Sequence, residues 1–475
     1  MKRLFACLLA MLMVLSLAAC GGAESPATTE ATDNGTEPQA AASFTVGYGR
    51  EKFTPKNSVQ LYGYGGDERL STNVLDDVYV TCVAMTDAVG NTLLLFSADL
   101  CSSDGQTTKQ LIRKVAKEYD VPEENVYFSS THNHSAPALA SVSDLVTNAA
   151  MTSAQTALDT RKPAKMFIGT RDTVGLNFVR HYEMEDGEVI GDNHGIPNGR
   201  KYKGHVTEAD NQMQLIRFER EGAKDVVMMN FQAHLNMAAK DFTSISADFV
   251  GYCRTAIEKK MDCEFMFLQG ACGNLNPTSY IADETASGDR NPVKHGELLA
   301  EAAYNTMNKM QPAELGLIQV KTAEVPAKHA ENEPGIVAQM PKWQEVFDAT
   351  GSAWEAREAS GGMIDSKYEL GAISSRASKA GQTTDVHIAA MTIGDVSFLS
   401  APYEMFDTNA MYIKDNDKYD ITFIMCYSSG ECYGYIPSDA AFDYGCYEVD
   451  TRVFERGTAE DLANKYVELL NELHG

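Results

Sequence analysis

Two histidines one residue apart, His132 and His134, lie in the run Tyr127-Phe-Ser-Ser-Thr-His-Asn-His-Ser-Ala-Pro137. A strand-like run leads into them, and in extended backbone residues i and i+2 project to one face. Two imidazoles at the lip of a strand can bind one metal ion, or one can bind while the other moves protons. The plain alternative is a polar loop with two solvated histidines. Two further strand-like runs end in groups of the same chemical kind. Val226 to Gln232 leads into His234, and a long strand over His387 to Leu399 is followed by Ala401-Pro-Tyr-Glu404. One polar residue at a strand end is ordinary. Three in equivalent places point to a single site, because loops converge there over a rigid sheet.

The elements that would position these residues alternate. Short β-rich runs cover Phe44 to Phe53, Val78 to Met85, Thr92 to Ala98, Val126 to Ser129 and Cys263 to Leu268. Helical apolar spacing covers Thr107 to Glu118, Asp248 to Lys260, Pro292 to Met310 and an amphipathic tail, Thr458 to Leu473. The pattern predicts an α/β fold, with central mixed β-sheets flanked by helices and a metal site at strand ends. Residues 328–382 are polar and partly helical and read as a peripheral insertion. The turn Leu61-Tyr-Gly-Tyr-Gly-Gly66 lacks the spacing of a phosphate loop and suits open dihedrals or close ligand approach.

The start of the chain has another purpose. Lys2 and Arg3 precede an apolar run, Leu4 to Leu17, too short for an ordinary membrane span. Leu17-Ala-Ala-Cys20 resembles a bacterial lipoprotein cleavage box. That resemblance implies a signal peptide over 1–19, lipid on Cys20 and an extracytoplasmic protein anchored to the cell membrane. Residues 20–42 are rich in Ala, Thr, Glu, Ser and Pro and read as a flexible tether. Residues 43–475 are then one large domain or two. Loss of Lys2 and Arg3 leaves 38 basic residues against 66 acidic ones, a net charge of −28. So acidic a surface argues against nucleic acid or anionic headgroups as partners. Beyond Cys7 and Cys20 eight cysteines remain, spaced like no zinc ribbon and open to either disulfides or buried thiols.

Five segments together resemble the neutral/alkaline ceramidase family, zinc-dependent amidases that cleave the N-acyl bond of ceramide. They are Thr131-His-Asn-His-Ser-Ala-Pro137, Ala233-His-Leu-Asn236, Pro402-Tyr-Glu404, Tyr435-Ile-Pro-Ser438 with Tyr447-Glu448, and Tyr62-Gly-Tyr64. The likeness is scattered from about Val46 to Leu470. It implies Zn2+ held by His132, His234, Glu404 and Tyr435, with zinc-bound water as nucleophile. It makes His134 a carbonyl-polarising or proton-moving group, Tyr447 an oxyanion partner, Gly63 a backbone position lining the substrate site, and Arg180 a site arginine. The chain departs from the family at Gly273-Asn-Leu-Asn-Pro277, where Asn276 replaces the family's serine and Asn274 its aspartate. An amide is neither an activated nucleophile nor a general base, so Asn276 is left as a hydrogen-bonding group. No C-terminal immunoglobulin-like domain is expected after the closing helix.

The leading reading is a surface-anchored zinc hydrolase of an acyl amide bond, taking a small-molecule or lipid N-acyl substrate. The alternatives are an esterase or amidase with a non-ceramide substrate, and a non-catalytic ligand-binding lipoprotein on the same fold.

Overall fold

The computed structural model describes residues 43–64, 69–103, 105–191, 201–238, 242–277, 290–430 and 432–475. The expected signal peptide, Cys20 and the tether lie outside the described residues. Among those described, no helix is long and apolar enough to cross a membrane.

Two mixed sheets form the centre. The larger holds β1 (Thr45–Lys52), β2 (Tyr79–Thr86), β3 (Thr92–Ala98), β4 (Val126–Ser130), β5 (Lys162–Asp172), β6 (Gln212–Arg220), β7 (Val226–Phe231) and β8 (Glu264–Gln269). Its order is β8-β7-β6-β5-β1-β2-β3-β4, with Gln311–Ala313 adding to β5. The smaller sheet runs β9 (Ile318–Lys328), β10 (Thr383–Ile393), β11 (Val396–Ala401), β12 (Ile421–Cys426). The pairs β3–β4, β7–β8 and β11–β12 are parallel, so each pair ends its strands on one edge.

Period-two alternation buries both faces of the larger sheet. Val80, Cys82, Leu94 and Phe96 face one core with Leu111, Val115, Val146 and Ala150 of α1 (Gly105–Tyr119) and α2 (Leu139–Asp159). Val83, Met85, Leu93 and Leu95 face the opposite way, into a core shared with Met391, Phe398, Phe423 and Met425 of the smaller sheet. The two sheets therefore pack on each other. α3 (Asp248–Met261) and α4 (Pro292–Met307) cover β7 and β8, and the closing helix Thr458–His474 covers the smaller sheet. Asn230 shows how a polar group inside the sheet–sheet interface is satisfied. Asn230 of β7 donates to the carbonyls of Leu268 (2.9 Å) and Ile424 (2.8 Å) and accepts from Ile424 N–H (3.1 Å), tying one sheet to the other.

Three expectations change. The long strand over His387 to Leu399 is two strands, because the chain reverses at Gly394 (φ 57°), where a Cβ would lie 2.0 Å from the Glu314 carbonyl. The helix α2 has no counterpart in the sequence reading; its Ala/Ser/Thr-rich turns show little amphipathic contrast. The segment 328–382 forms α5 (Ile336–Thr350), α6 (Ala353–Ala359) and α7 (Lys367–Lys379) between the paired strands β9 and β10. It has its own small core around Trp343, and α7 reaches the functional site rather than staying at the periphery. The eight described cysteines are free thiols, and all but Cys432 are buried.

Candidate metal centre and active site

Strand ends bring the predicted residues together. His132 follows β4, His234 follows β7, the turn Gly270–Asn276 follows β8, Glu404 follows β11 and Tyr427 follows β12. All five strands belong to parallel pairs, so their carboxyl ends open on a common edge. Short pairings lock the loops to one another. Asn133 bridges Leu235, and His134 N–H donates to Leu235 O (2.9 Å), joining the two histidine loops. Glu404 lies beside Tyr435 in parallel register, and Glu404 N–H donates to Gly434 O (2.8 Å).

At the centre, Nδ1 of His132 is 2.9 Å from the Cys101 carbonyl and Nδ1 of His234 is 3.0 Å from the Leu275 carbonyl. A carbonyl only accepts, so both Nδ1 atoms carry the proton and both Nε2 atoms present a lone pair. These lone pairs converge on Glu404, whose Oε2 is 3.4 Å from His132 Nε2 and 3.1 Å from His234 Nε2. Among the described residues Oε2 has no hydrogen-bond partner, while Oε1 accepts from the Tyr427 hydroxyl. All three side chains are buried. No proton lies between Oε2 and either Nε2, so these electron-pair donors repel there, although His234 Nε2 also receives an N–H of Arg180 at 3.3 Å; a dication among them removes that conflict. Imidazoles anchored through Nδ1–H to carbonyls are the usual arrangement of metal-binding histidines. The donor set therefore fits a divalent metal, and His132, His234, Glu404 and Cys272 offer ligand atoms within 4.8 Å of one another.

Burial drives the titration of these groups. It pushes His132 down to about 4 and His234 down to about 3, and it takes His134 well below the ordinary imidazole range. Burial also raises the Glu404 carboxyl. Each group thus resists charge until a cation supplies compensation. His132 also has φ 62°, an uncommon conformation for a residue with a Cβ. Its ring stacks on Tyr427, centroids 4.5 Å apart. Strained backbone kept in place by surrounding contacts is a feature of working sites.

The remaining predicted residues surround this centre. His134 Nε2 is 3.1 Å from His132 Nε2, and its buried Nδ1 has no partner among the described residues. Gly63 (φ 120°) lies against His134 so closely that a Cβ would sit 2.6 Å from its Cγ, which accounts for the glycine. Arg180 is buried with Nη1 3.3 Å from His234 Nε2, and its guanidinium lies 5.3 Å from the Tyr435 ring centre and 5.9 Å from that of Tyr447. Glu448 balances it. Burial alone would raise that carboxyl, but Arg180 and His181 hold it well below the usual range. The Tyr435 hydroxyl is 3.4 Å from His234 Nε2, and the Tyr435 and Tyr447 rings meet edge-on at 5.7 Å. Burial raises both phenols, which keeps them donors. Asn276 is buried and accepts from Asn236 Nδ2 (3.2 Å), two residues beyond His234. Asn274 exchanges hydrogen bonds with Asp407 (2.7 and 3.0 Å), a structural lock.

Sequence reasoning missed four contributors. Tyr427 and Cys272 follow strands, the same signal that found His234. Glu448 sits next to Tyr447 and is the counter-ion of Arg180. Tyr368 of α7 packs 6.2 Å from the Tyr447 ring, with its hydroxyl 3.2 Å from where a Gly434 Cβ would be. No sequence signal links the insertion to the site.

A family profile described as neutral/alkaline non-lysosomal ceramidase, N-terminal, matches residues 44–293, more than half of the chain. The chain belongs to that family. The fold agrees: neutral ceramidase from Pseudomonas aeruginosa superposes with a TM-score of 0.70 at 16% identity, over 91% of this chain and 74% of that one. A structure described as ceramidase complexed with C2 gives 0.69 at 16% identity, over 91% and 75%. Among curated proteins none matches the chain. Three of the family-derived site positions, Glu404, Tyr435 and Tyr447, lie beyond the matched segment, and the fold brings them to the site residues within it.

Proposed function

We propose that this ceramidase-family protein is a zinc-dependent hydrolase of an acyl amide bond, exported and anchored at the membrane through Cys20. The observation that carries the catalytic part is the partnerless Oε2 of buried Glu404 facing the Nε2 lone pairs of His132 and His234. Two imidazoles and a carboxylate are a donor set found in zinc hydrolases. When bound, Zn2+ would polarise a carbonyl and lower the pKa of water at the open position towards ~7.

The chain's own residues supply the rest. His134, neutral and placed beside His132, takes a proton from the attacking water and passes it to the leaving nitrogen. Tyr447 and Arg180 face the same space and stabilise the oxyanion, with Glu448 holding the guanidinium in place. Tyr435 braces His234 from the segment paired with Glu404. Asn276 offers no hydroxyl, so attack falls to water, and its amide orders Asn236. A lipid N-acyl substrate such as a ceramide is the family's own class. A lipobox ahead of a polar tether supports anchoring. The acidic surface favours neutral over anionic interfaces.

The test is metal analysis of the purified full chain, then turnover of N-acyl substrates from ceramides to short acyl amides. Wild type should carry one equivalent of zinc per chain and release a fatty acid. His132→Ala and His234→Ala should lose both metal and at least about a thousandfold in rate. Full turnover by the metal-free double variant overturns the reading. Stoichiometric zinc without turnover of any amide or ester favours the ligand-binding alternative, which the missing serine at Asn276 supports.

A further inference from the structure

We propose that Cys272 is a direct ligand of the cation at this site, joining His132, His234 and Glu404 and leaving a further position on the ion to water. The inference rests on reading this cluster as a divalent-metal site and adds a donor to it. Its Sγ lies with the two imidazole nitrogens and the Glu404 carboxylate in a group whose atoms are all within 4.8 Å of one another. The thiol is fully buried.

Its backbone is held where such a ligand must be. Cys272 sits in the turn leaving β8, and the next residue, Gly273, donates its N–H to Met405 O (2.9 Å). A Cβ at Gly273 would lie 2.7 Å from the Glu404 carbonyl oxygen, so only glycine lets this turn press against the loop that carries Glu404. Gln269, three residues before it, donates its amide to Ala233 O (2.7 Å), just before His234, which ties this turn to the His234 loop as well. Cys426 is the neighbouring thiol. Oε2 of Glu404, buried and partnerless, shows independently that the space between these atoms wants a cation.

The chemistry balances. On binding, the S–H bond breaks, a sulfur–metal bond forms and the proton leaves to solvent. Two neutral imidazoles, one carboxylate and one thiolate then neutralise a dication. Tyr435 need not ionise, and its hydroxyl stays beside His234 Nε2 at 3.4 Å. A thiolate shifts selectivity towards zinc, cobalt and cadmium and away from magnesium, calcium and manganese.

Cobalt reads the sulfur directly. The metal-stripped full chain is loaded with Co2+ and its absorption recorded. Wild type should show a near-ultraviolet sulfur-to-cobalt charge-transfer band. Cys272→Ala and Cys272→Ser should lose that band while still binding cobalt, and Cys426→Ala should keep it. Zn2+ affinity, measured by competition with a chromophoric chelator, should fall by about tenfold or more in both Cys272 variants. Cobalt bound with visible bands but no charge-transfer band in wild type overturns the ligand assignment and leaves the histidine–carboxylate site standing. A band that survives in Cys272→Ala and disappears in Cys426→Ala overturns it too, in favour of the neighbouring sulfur. Failure of wild type to bind cobalt or zinc at all overturns both readings. Circular dichroism of each variant separates loss of a ligand from loss of the fold, and the serine variant keeps the side-chain size should alanine unfold.

Discussion

The two oxygens of Glu404 divide the work of the site between them. Oε1 is satisfied by the Tyr427 hydroxyl, which leaves Oε2 to face the imidazoles. Tyr427 also stacks on His132, so one phenol aims two ligands. Tyr427→Phe keeps the ring and removes the hydrogen bond, and Oε1 is then buried without a partner. Metal affinity or activity should fall by roughly 10- to 100-fold. Chelator competition measures the change, and far-ultraviolet circular dichroism should stay the same. An unchanged affinity would show that Glu404 is held by its backbone pairing with Tyr435 alone.

The insertion α5–α7 links structure to pH at the scale of an element. Arg376 of α7 donates to the carbonyls of Asp450 (2.7 Å) and Arg452 (2.9 Å), docking the insertion on the one-turn helix Tyr447–Asp450. Beside it, burial pushes the Glu369 carboxyl up to about 8, and burial together with Asp365 pushes Asp450 up to about 7. Folding therefore retains protons that the unfolded chain releases above the ordinary carboxylate range. This stabilisation is full below that range and is lost as pH rises through 7 and 8. The loss is on the order of a few kcal/mol. Limited proteolysis should cut within residues 336–379 faster at pH 9 than at pH 6. Glu369→Gln, which carries no charge to uncover, should flatten the difference. Equal cleavage at both pH values in wild type would show that the docking does not depend on these protons.

Across the whole molecule, strand ends of the larger sheet supply His132, His234 and Cys272, strand ends of the smaller sheet supply Glu404 and Tyr427, and Tyr435 joins through its short pairing with Glu404. A cation among them joins two sheets that otherwise meet through apolar packing and a few bonds such as those of Asn230. Removing it leaves a buried carboxylate against two imidazole lone pairs. Chelation should therefore lower the melting temperature of wild type. Readdition of Zn2+ at about 100 times its Kd should restore about 2.7 kcal/mol. His132→Ala should show neither effect. If wild type melts identically with and without chelator, the proposed staple is absent. The formal charge of −26 adds a long-range attraction for cations.

His132, His234 and Glu404 were legible in the sequence because each follows a run with β character, and strand ends in an α/β fold face a common edge. Local patterns also placed α1, α3, α4 and the closing helix to within a few residues. The hairpin at Gly394 was not legible, since both of its strands are buried and read as one apolar run. Nor were the Ala-rich α2, the reach of α7 to Tyr447, or the sulfur of Cys272 beside the imidazoles. Sequence by itself determined which residue types stand at strand ends, because backbone geometry and side-chain periodicity are local. Tertiary structure alone decided which strand ends meet. That choice depends on how two buried sheets pack and on hydrogen bonds between segments hundreds of residues apart, and no local pattern carries that information.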